Sequence, residues 1–480
     1  MDSLKDADNE IYDAIVKETG RQEKGVEMIA SENFVSKAVL QAVGSTLTNK
    51  YSEGYAGKRY YGGNEYIDVC ETLAISRAKK LFGAEHVNVQ PHAGSQANME
   101  AFFAVTELKD KILAMDLSNG GHLTHGSPVN FSGKFYTFFH YGVDPKTGRI
   151  DMDDVRKAAK TIKPRILLSG FSAYPRTLDF KGFQEIAEEV GAYHMSDIAH
   201  IAGLCAAGVH ENPVKFADIV TTTTHKTLRG PRGAMIMCKE SDRINPNDKK
   251  NLAQKIDSAV FPGMQGGPLD HVIAGKAVAF KEALEPDFRN YAEQIVRNAK
   301  VLADVLLDHG VELVSGGTDN HLILMDVDKS FGIRGKKAVQ VLDEVHIYTN
   351  KNMVPNDRGT PFDPCGLRIG TPAITTRGMK ESEMKQIGEW YVRTLKSPDD
   401  KAVKDKIKSG LVLGLRSDLL ISAGYNSDRW YFGISYINMA LISQAPIEER
   451  SIGYETGMIR INLVRRFQTK KPIRILNPEL

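Results

Sequence analysis

The stretch Thr221-Thr222-Thr223-Thr224-His225-Lys226-Thr227 reads as a strand end opening into a loop that carries one lysine. A lysine in such a place is ordinarily a solvated charge. Asp197 follows an earlier apolar run, residues 192–195, where an aspartate alone would ordinarily cap a helix. Together the two supply what a pyridoxal cofactor requires: an amine to bond its aldehyde and a carboxylate opposite its ring nitrogen. Two further loops fit around that pair. In Pro91-His92-Ala93-Gly94-Ser95-Gln96-Ala97-Asn98, between a strand and a helix, backbone N–H groups and the Ser95 hydroxyl would cradle a phosphate. A plain glycine turn with a serine cap fits the same residues. Gly120-Gly121-His122-Leu123-Thr124-His125-Gly126 holds two histidines three apart, with no third ligand nearby in the sequence. A metal is therefore not expected there, and His122 is read as an imidazole lying against a flat ring.

These loops need a scaffold that brings strand ends together. Short apolar runs at residues 86–89, 111–115, 165–168, 192–195, 219–224 and 234–238 read as buried strands. Helical stretches at 95–106, 152–160 and 183–190 lie between several of them. That alternation predicts a mostly parallel sheet with helices on both faces. Residues 1–50 read as a helical arm and 51–280 as the large domain, opening on a Gly- and Tyr-rich loop and closing on a helix over 269–284. Residues 281–408 read as a smaller α+β domain, and 409–480 as an extension.

Composition narrows the function classes. Hydrophobic residues make up 42% and charged residues 25%, the mixture of a soluble globular protein. The net charge is only +2, which gives no electrostatic ground for nucleic-acid or membrane binding. The basic pairs Arg465-Arg466 and Lys470-Lys471 read as solvated surface. Four cysteines without CxxC spacing suggest neither zinc nor a disulfide framework. No secretory signal or membrane-spanning run is visible, so a cytoplasmic protein is expected.

Over about residues 8–408 the chain resembles serine hydroxymethyltransferase. The strings that carry the likeness include Ile29-Ala30-Ser31-Glu32-Asn33, Asn49-Lys50-Tyr51-Ser52-Glu53-Gly54-Tyr55 and Lys58-Arg59-Tyr60-Tyr61-Gly62-Gly63. To these belong residues 120–133, 171–174, 222–233, 258–268 and 315–321. The resemblance implies the aspartate-aminotransferase-like fold (pyridoxal-phosphate fold type I) and a homodimer with shared active sites. It also implies transfer of the serine hydroxymethyl group to tetrahydrofolate. Carried over residue by residue, Lys226 is the cofactor lysine, Asp197 the pyridinium partner and His122 the stacking ring, with His225 and Thr223 in the catalytic set. Gly94 and Ser95 are implied to hold the phosphate, Gly263 and Tyr51 to approach it, and Ser172, His200 and Thr223 to touch the cofactor, His200 also meeting the substrate. Arg368, in Gly366-Leu367-Arg368-Ile369-Gly370, is the implied clamp for the substrate carboxylate; a planar guanidinium can donate two parallel bonds there. Ser31 and Tyr61 are implied to help it, and Arg232 to support the lysine loop. Glu53 is implied as the acid/base near the serine hydroxyl and folate. Tyr60, Leu117, Gly121, Asn352, Thr360, Pro361 and Phe362 are implied folate contacts.

Three features depart from this pattern. Ala93 stands where the family's phosphate loop usually carries a hydroxyl. His194 and Ser196 are atypical for a buried strand. Beyond Lys408 the likeness ends in an Ile- and Tyr-rich segment with strand-like runs at 434–437 and 459–463. It reads as an added β-rich module, a flexible extension or frame-shifted sequence, the last two being favoured.

Overall fold

The structure is a computed structural model that describes residues 2–414, 418–426, 429–437 and 461–462. Two compact units result, residues 1–407 and 408–480. The first is built on seven strands: β1 (His86–Asn88), β2 (Lys111–Met115), β3 (Thr137–Tyr141), β4 (Ile166–Gly170), β5 (Tyr193–Asp197), β6 (Ile219–Thr223) and β7 (Ala234–Cys238). Their order across the sheet is β1-β7-β6-β5-β4-β2-β3. β7 runs antiparallel to both neighbours, and the other pairings are parallel.

β4 to β7 are buried along their whole length, as strands covered on both faces must be. Alternate residues feed opposite layers. Leu113 and Met115 join Phe183, Met235 and Phe280 on one face, whereas Ile112 and Ala114 join Phe102, Tyr193 and Ile236 on the other. The covering helices include α1 (Glu65–Phe82), α2 (Gly94–Val105), α3 (Met152–Ile162), α4 (Phe180–Val190) and α5 (Asp270–Ala283). Asp151 and Asp179 cap the starts of α3 and α4 by accepting backbone N–H bonds.

The same unit carries a second, antiparallel sheet: β8 (Leu322–Asp326), β9 (Asn350–Asn352) and β10 (Gly366–Gly370), with β10 central. Arg368 sits mid-strand on β10, paired with Leu324 on one side and Asn350 on the other. Helices α6 (Pro286–Asp308) and α7 (Glu381–Lys396) pack on each other beside it. No described helix is long and apolar enough to cross a membrane.

In the second unit, β11 (Asp418–Asn426) pairs antiparallel with β12 (Arg429–Ile437) and with β13 (Ile461–Asn462). The strand-like run expected at 434–437 falls within β12. Residues 459, 460 and 463 of the expected second run, and both basic pairs, lie outside the described residues.

Candidate active site

The ends of β4, β5 and β6 converge with the start of α2. Asp197, the last residue of β5, is buried, and its carboxylate is fully engaged. Oδ2 accepts from Asn98 Nδ2 at 2.9 Å and from His125 Nε2 at 3.3 Å, and Oδ1 accepts from the Ala199 N–H at 3.0 Å. Burial alone would push this carboxyl up, but the His125 bond, the nearby His122 and Asn98 bring it well below the usual carboxylate range. An anion is thus held ready in a dry place.

His122, His125 and Asp197 bring their ligand atoms within 4.8 Å of one another. The fold therefore supplies the third group that the sequence spacing lacked, through a contact 72 residues long in sequence. Hydrogen bonding already defines these rings. His125 Nδ1 accepts the His122 N–H, which leaves Nε2 as the donor to Asp197. His122 Nδ1 accepts from Thr124, and burial first, then His125, lowers its pKa to about 4. A neutral ring beside that carboxylate offers a surface for a flat aromatic group.

Lys226 lies past the end of β6, its Nζ donating to Thr223 Oγ1 at 3.0 Å. Burial, opposed by Asp197 and aided by Arg368 and Arg232, lowers its pKa to about 8. The amine is therefore far easier to deprotonate than a surface lysine. Burial also lowers the neighbouring His225 to about 3, and its Nδ1 has no partner among the described residues.

The loop before α2 fits a phosphate. Its N-cap is Ala93, not Ser95, and Ala93 has no side chain to cap the helix, which leaves the first N–H groups of α2 to an outside acceptor. A Cβ at Gly94 would lie 2.6 Å from the Thr223 methyl, so only glycine lets the loop close on β6. Ser95 is exposed beside it.

Arg368 reaches the same place from β10. Its Nε donates to Asn350 Oδ1 at 3.1 Å, and its Nη1 to the Ser172 carbonyl at 2.6 Å and His200 Nε2 at 3.4 Å. Among the described residues it pairs with no carboxylate, although it is only 9% exposed. Burial alone lowers its pKa to about 10. A buried, unpaired cation is costly and calls for an anionic guest.

The structure thus joins Lys226, Thr223, Asp197, His122, His200, Ser172, Arg368 and Gly94. It does not bring all expected residues to them. Tyr51, Tyr60 and Tyr61 are 53%, 75% and 47% exposed, in an aromatic group where the Tyr51 and Tyr61 rings lie 5.0 Å apart and Tyr60 packs on Phe261. Glu53 accepts a 3.4 Å bond from the Tyr51 hydroxyl and lies against Gly266, while Gly263 lies against the Ser258 carbonyl and Phe103. Leu117, Thr360, Pro361 and Phe362 are exposed, Asn352 and Ser31 are half-buried, and Gly121 is buried against the Met115 carbonyl. Arg232 is exposed, yet near enough for its charge to act on Lys226 and His225.

Asn98, His125, Asn350 and His321 were not legible as site residues. Their partners lie 18 to 123 residues away in sequence, and only folding pairs them. The oddity of His194 also resolves. Its Nε2 meets Ser169 at 2.9 Å, its Nδ1 meets Gln184 at 3.2 Å and its ring stacks on Phe183, which makes it a satisfied core histidine. Ser196 has no partner among the described residues, and nothing in the structure explains it.

A parallel-rich sheet with a lysine loop, an ionised aspartate and a phosphate cradle at its strand ends defines a pyridoxal-phosphate enzyme of fold type I. A family model, serine hydroxymethyltransferase, matches residues 4–391. The chain belongs to the serine hydroxymethyltransferase family, transferases that use pyridoxal phosphate with tetrahydrofolate as co-substrate. Its reaction is the reversible conversion of L-serine and tetrahydrofolate to glycine and 5,10-methylenetetrahydrofolate.

Proposed function

We propose that Lys226, Asp197, His122, His200, Thr223, Ser172, Gly94 and Ser95 hold the cofactor of this reaction and that Arg368 anchors the substrate carboxylate, with Ser31 and Tyr61 beside it. The observation that carries the reading is the buried Arg368 guanidinium, without a carboxylate partner among the described residues. When bound, pyridoxal phosphate supplies an aldehyde for the lysine amine and a ring that accepts electrons from the substrate bond being broken. The chain's part is to bind and orient. Asp197, ionised in a dry site, favours a protonated ring nitrogen, and its three donors keep the carboxylate from turning. The α2 N-terminus offers N–H groups to the phosphate. Arg368, its Nε and Nη1 protons donated to Asn350, Ser172 and His200, keeps the Nη2 donors to orient the carboxylate of an amino acid.

Glu53 is proposed to exchange the proton of the serine hydroxyl, with Tyr60, Leu117, Gly121, Asn352 and residues 360–362 around the folate. Tyr51 and Gly263 are proposed to reach the phosphate of a neighbouring subunit, and His225 to support Lys226. This requires the homodimer. It is supported by Tyr66, Val69 and Leu73, spaced along one face of α1 and 74%, 54% and 39% exposed. We also propose a cytoplasmic enzyme, and a division into an arm (1–50), a large domain (51–280), a small domain (281–408) and an extension (409–480).

The purified protein should show a visible absorption band that borohydride abolishes in the native chain and that is absent from Lys226→Ala. Serine cleavage should depend strongly on added tetrahydrofolate. A band that persists in Lys226→Ala would remove the lysine assignment, and folate-independent cleavage would favour an aldolase instead.

A further inference from the structure

His321 has no assigned part in the site, yet it stands directly behind it. Its ring is fully buried and lies edge to edge with that of His200, with centroids 5.5 Å apart and planes 22° from parallel. His321 Nε2 lies 3.3 Å from His200 Nδ1, and His200 Nε2 lies 3.4 Å from Arg368 Nη1. We infer that His321 is a positioning residue for substrate binding: by accepting a hydrogen bond from His200 Nδ1, it keeps His200 Nε2 as the acceptor that holds the Arg368 guanidinium.

The proton positions follow from what each group can do. Arginine has donors only, so His200 Nε2 must accept. Deep burial, with Arg368 and Lys226 nearby, keeps both rings neutral, so each carries one proton. The proton of His200 therefore sits on Nδ1 and points at His321. Nε2 of His321 must accept it, which leaves the second proton on His321 Nδ1, facing the Ala30 carbonyl without full hydrogen-bond geometry. The chain of donors runs from Arg368 through His200 to His321.

In the other tautomer His200 would turn an N–H toward a guanidinium N–H, and two donors would meet in a buried place. The surrounding backbone leaves little room to escape this. Leu322 donates to Asn320 Oδ1, Asn320 Nδ2 donates to the Tyr174 carbonyl, and the Thr371 N–H donates to the His321 carbonyl. A Cβ at Gly370 would lie 2.6 Å from Ala30 Cα, so the segment facing His321 Nδ1 is packed tightly as well. Ala30 precedes Ser31, so the far end of the chain of donors lies one residue from another proposed carboxylate contact.

The inference rests on the reading of Arg368 as the carboxylate anchor, and the test separates the two. Glycine affinity is measured on the cofactor-loaded enzyme for wild type, His321→Leu, His321→Gln and Arg368→Lys. Leucine removes the acceptor, whereas glutamine can place an oxygen where Nε2 stood. We expect His321→Leu to weaken glycine binding by about ten- to hundredfold, the effect of mispairing a charge-assisted hydrogen bond. His321→Gln should restore most of it. The ¹⁵N shifts of labelled histidine in the unmutated enzyme should report His200 as the Nδ1–H form. Wild-type affinity in His321→Leu with weakened binding in Arg368→Lys would overturn the role of His321 alone. Unaltered binding in Arg368→Lys would overturn the anchor reading and this inference with it. A His200 ring carrying its proton on Nε2 would overturn the inference whatever the variants do.

Discussion

Glu53 and His194 illustrate how differently one titratable side chain can matter. Glu53 is half-buried on a loop, accepts a bond from the Tyr51 hydroxyl and is proposed to exchange the serine proton. Glu53→Gln keeps shape and removes that capacity. Cofactor absorbance should be unchanged, while folate-dependent serine cleavage falls by about 10²–10⁴-fold, the range of general acid–base catalysis. Turnover within a factor of a few of wild type would remove the proton role. His194, by contrast, is a stability group. Burial lowers its pKa from an ordinary 6.5 to about 3, so its contribution is complete above pH 6.5 and is lost as pH falls toward 3. Over that window the unfolded chain binds a proton that the native chain refuses. His194→Gln removes the difference, so its Tm should fall less steeply than wild type between pH 6 and 4, although it starts lower at pH 7. Parallel Tm profiles for the two proteins would show that the ring titrates normally.

At the scale of elements, the start of α2 combines two demands on one residue. A hydroxyl at the N-cap would close one free N–H of the helix, and a hydroxyl in the cradle would bind phosphate; Ala93 does neither. Ala93→Ser tells them apart. If serine acts as a cap, the cofactor-free protein gains about 1 kcal/mol and its Tm rises. If it reaches the phosphate, the cofactor dissociation constant falls by roughly two- to tenfold, one ordinary hydrogen bond, with little change in the cofactor-free Tm. Loss of cofactor affinity would mean that the free N–H groups themselves are the binding element. The elements around this loop were largely legible in the sequence. Lys111–Met115 and Ala234–Cys238 fall where their apolar runs predict, because both strands are buried on two faces and their ends coincide with polar turns. Thr137–Tyr141 was not foreseen. It is an edge strand in which only Tyr141 is buried, so burial writes almost no pattern into it. The site divides the same way. Lys226 and Asp197 are recognisable because each sits at a strand end whose sequence is distinctive. Asn98 and His125 gain meaning only through Asp197, and nothing local in either segment announces that contact.

The whole molecule poses a question that one chain leaves open: why so much apolar surface stays in water near the aromatic loop. Tyr66, Val69 and Leu73 form one stripe on α1, and Leu40 and Phe103 are 52% and 50% exposed on other helices. An exposed apolar stripe such as that on α1 is the kind of surface that marks an association face. Glu53 and Tyr51 lie on the loop that leads into α1, so an interface there would also carry them toward a second subunit. Both effects are tested by one charge. Val69→Asp places a carboxylate in the stripe, 54% exposed in the single chain and therefore tolerated by its fold. The variant should keep its helical circular dichroism yet sediment as a monomer at micromolar concentration, where wild type is expected to sediment as a dimer. Because Tyr51 and Gly263 are assigned to the neighbour's phosphate, the monomer should also bind cofactor more weakly and lose folate-dependent turnover. A dimeric Val69→Asp would move the interface off this face of α1. A monomer with full activity would instead mean that each chain completes its own site, and the exposed tyrosines would then need a partner of another kind.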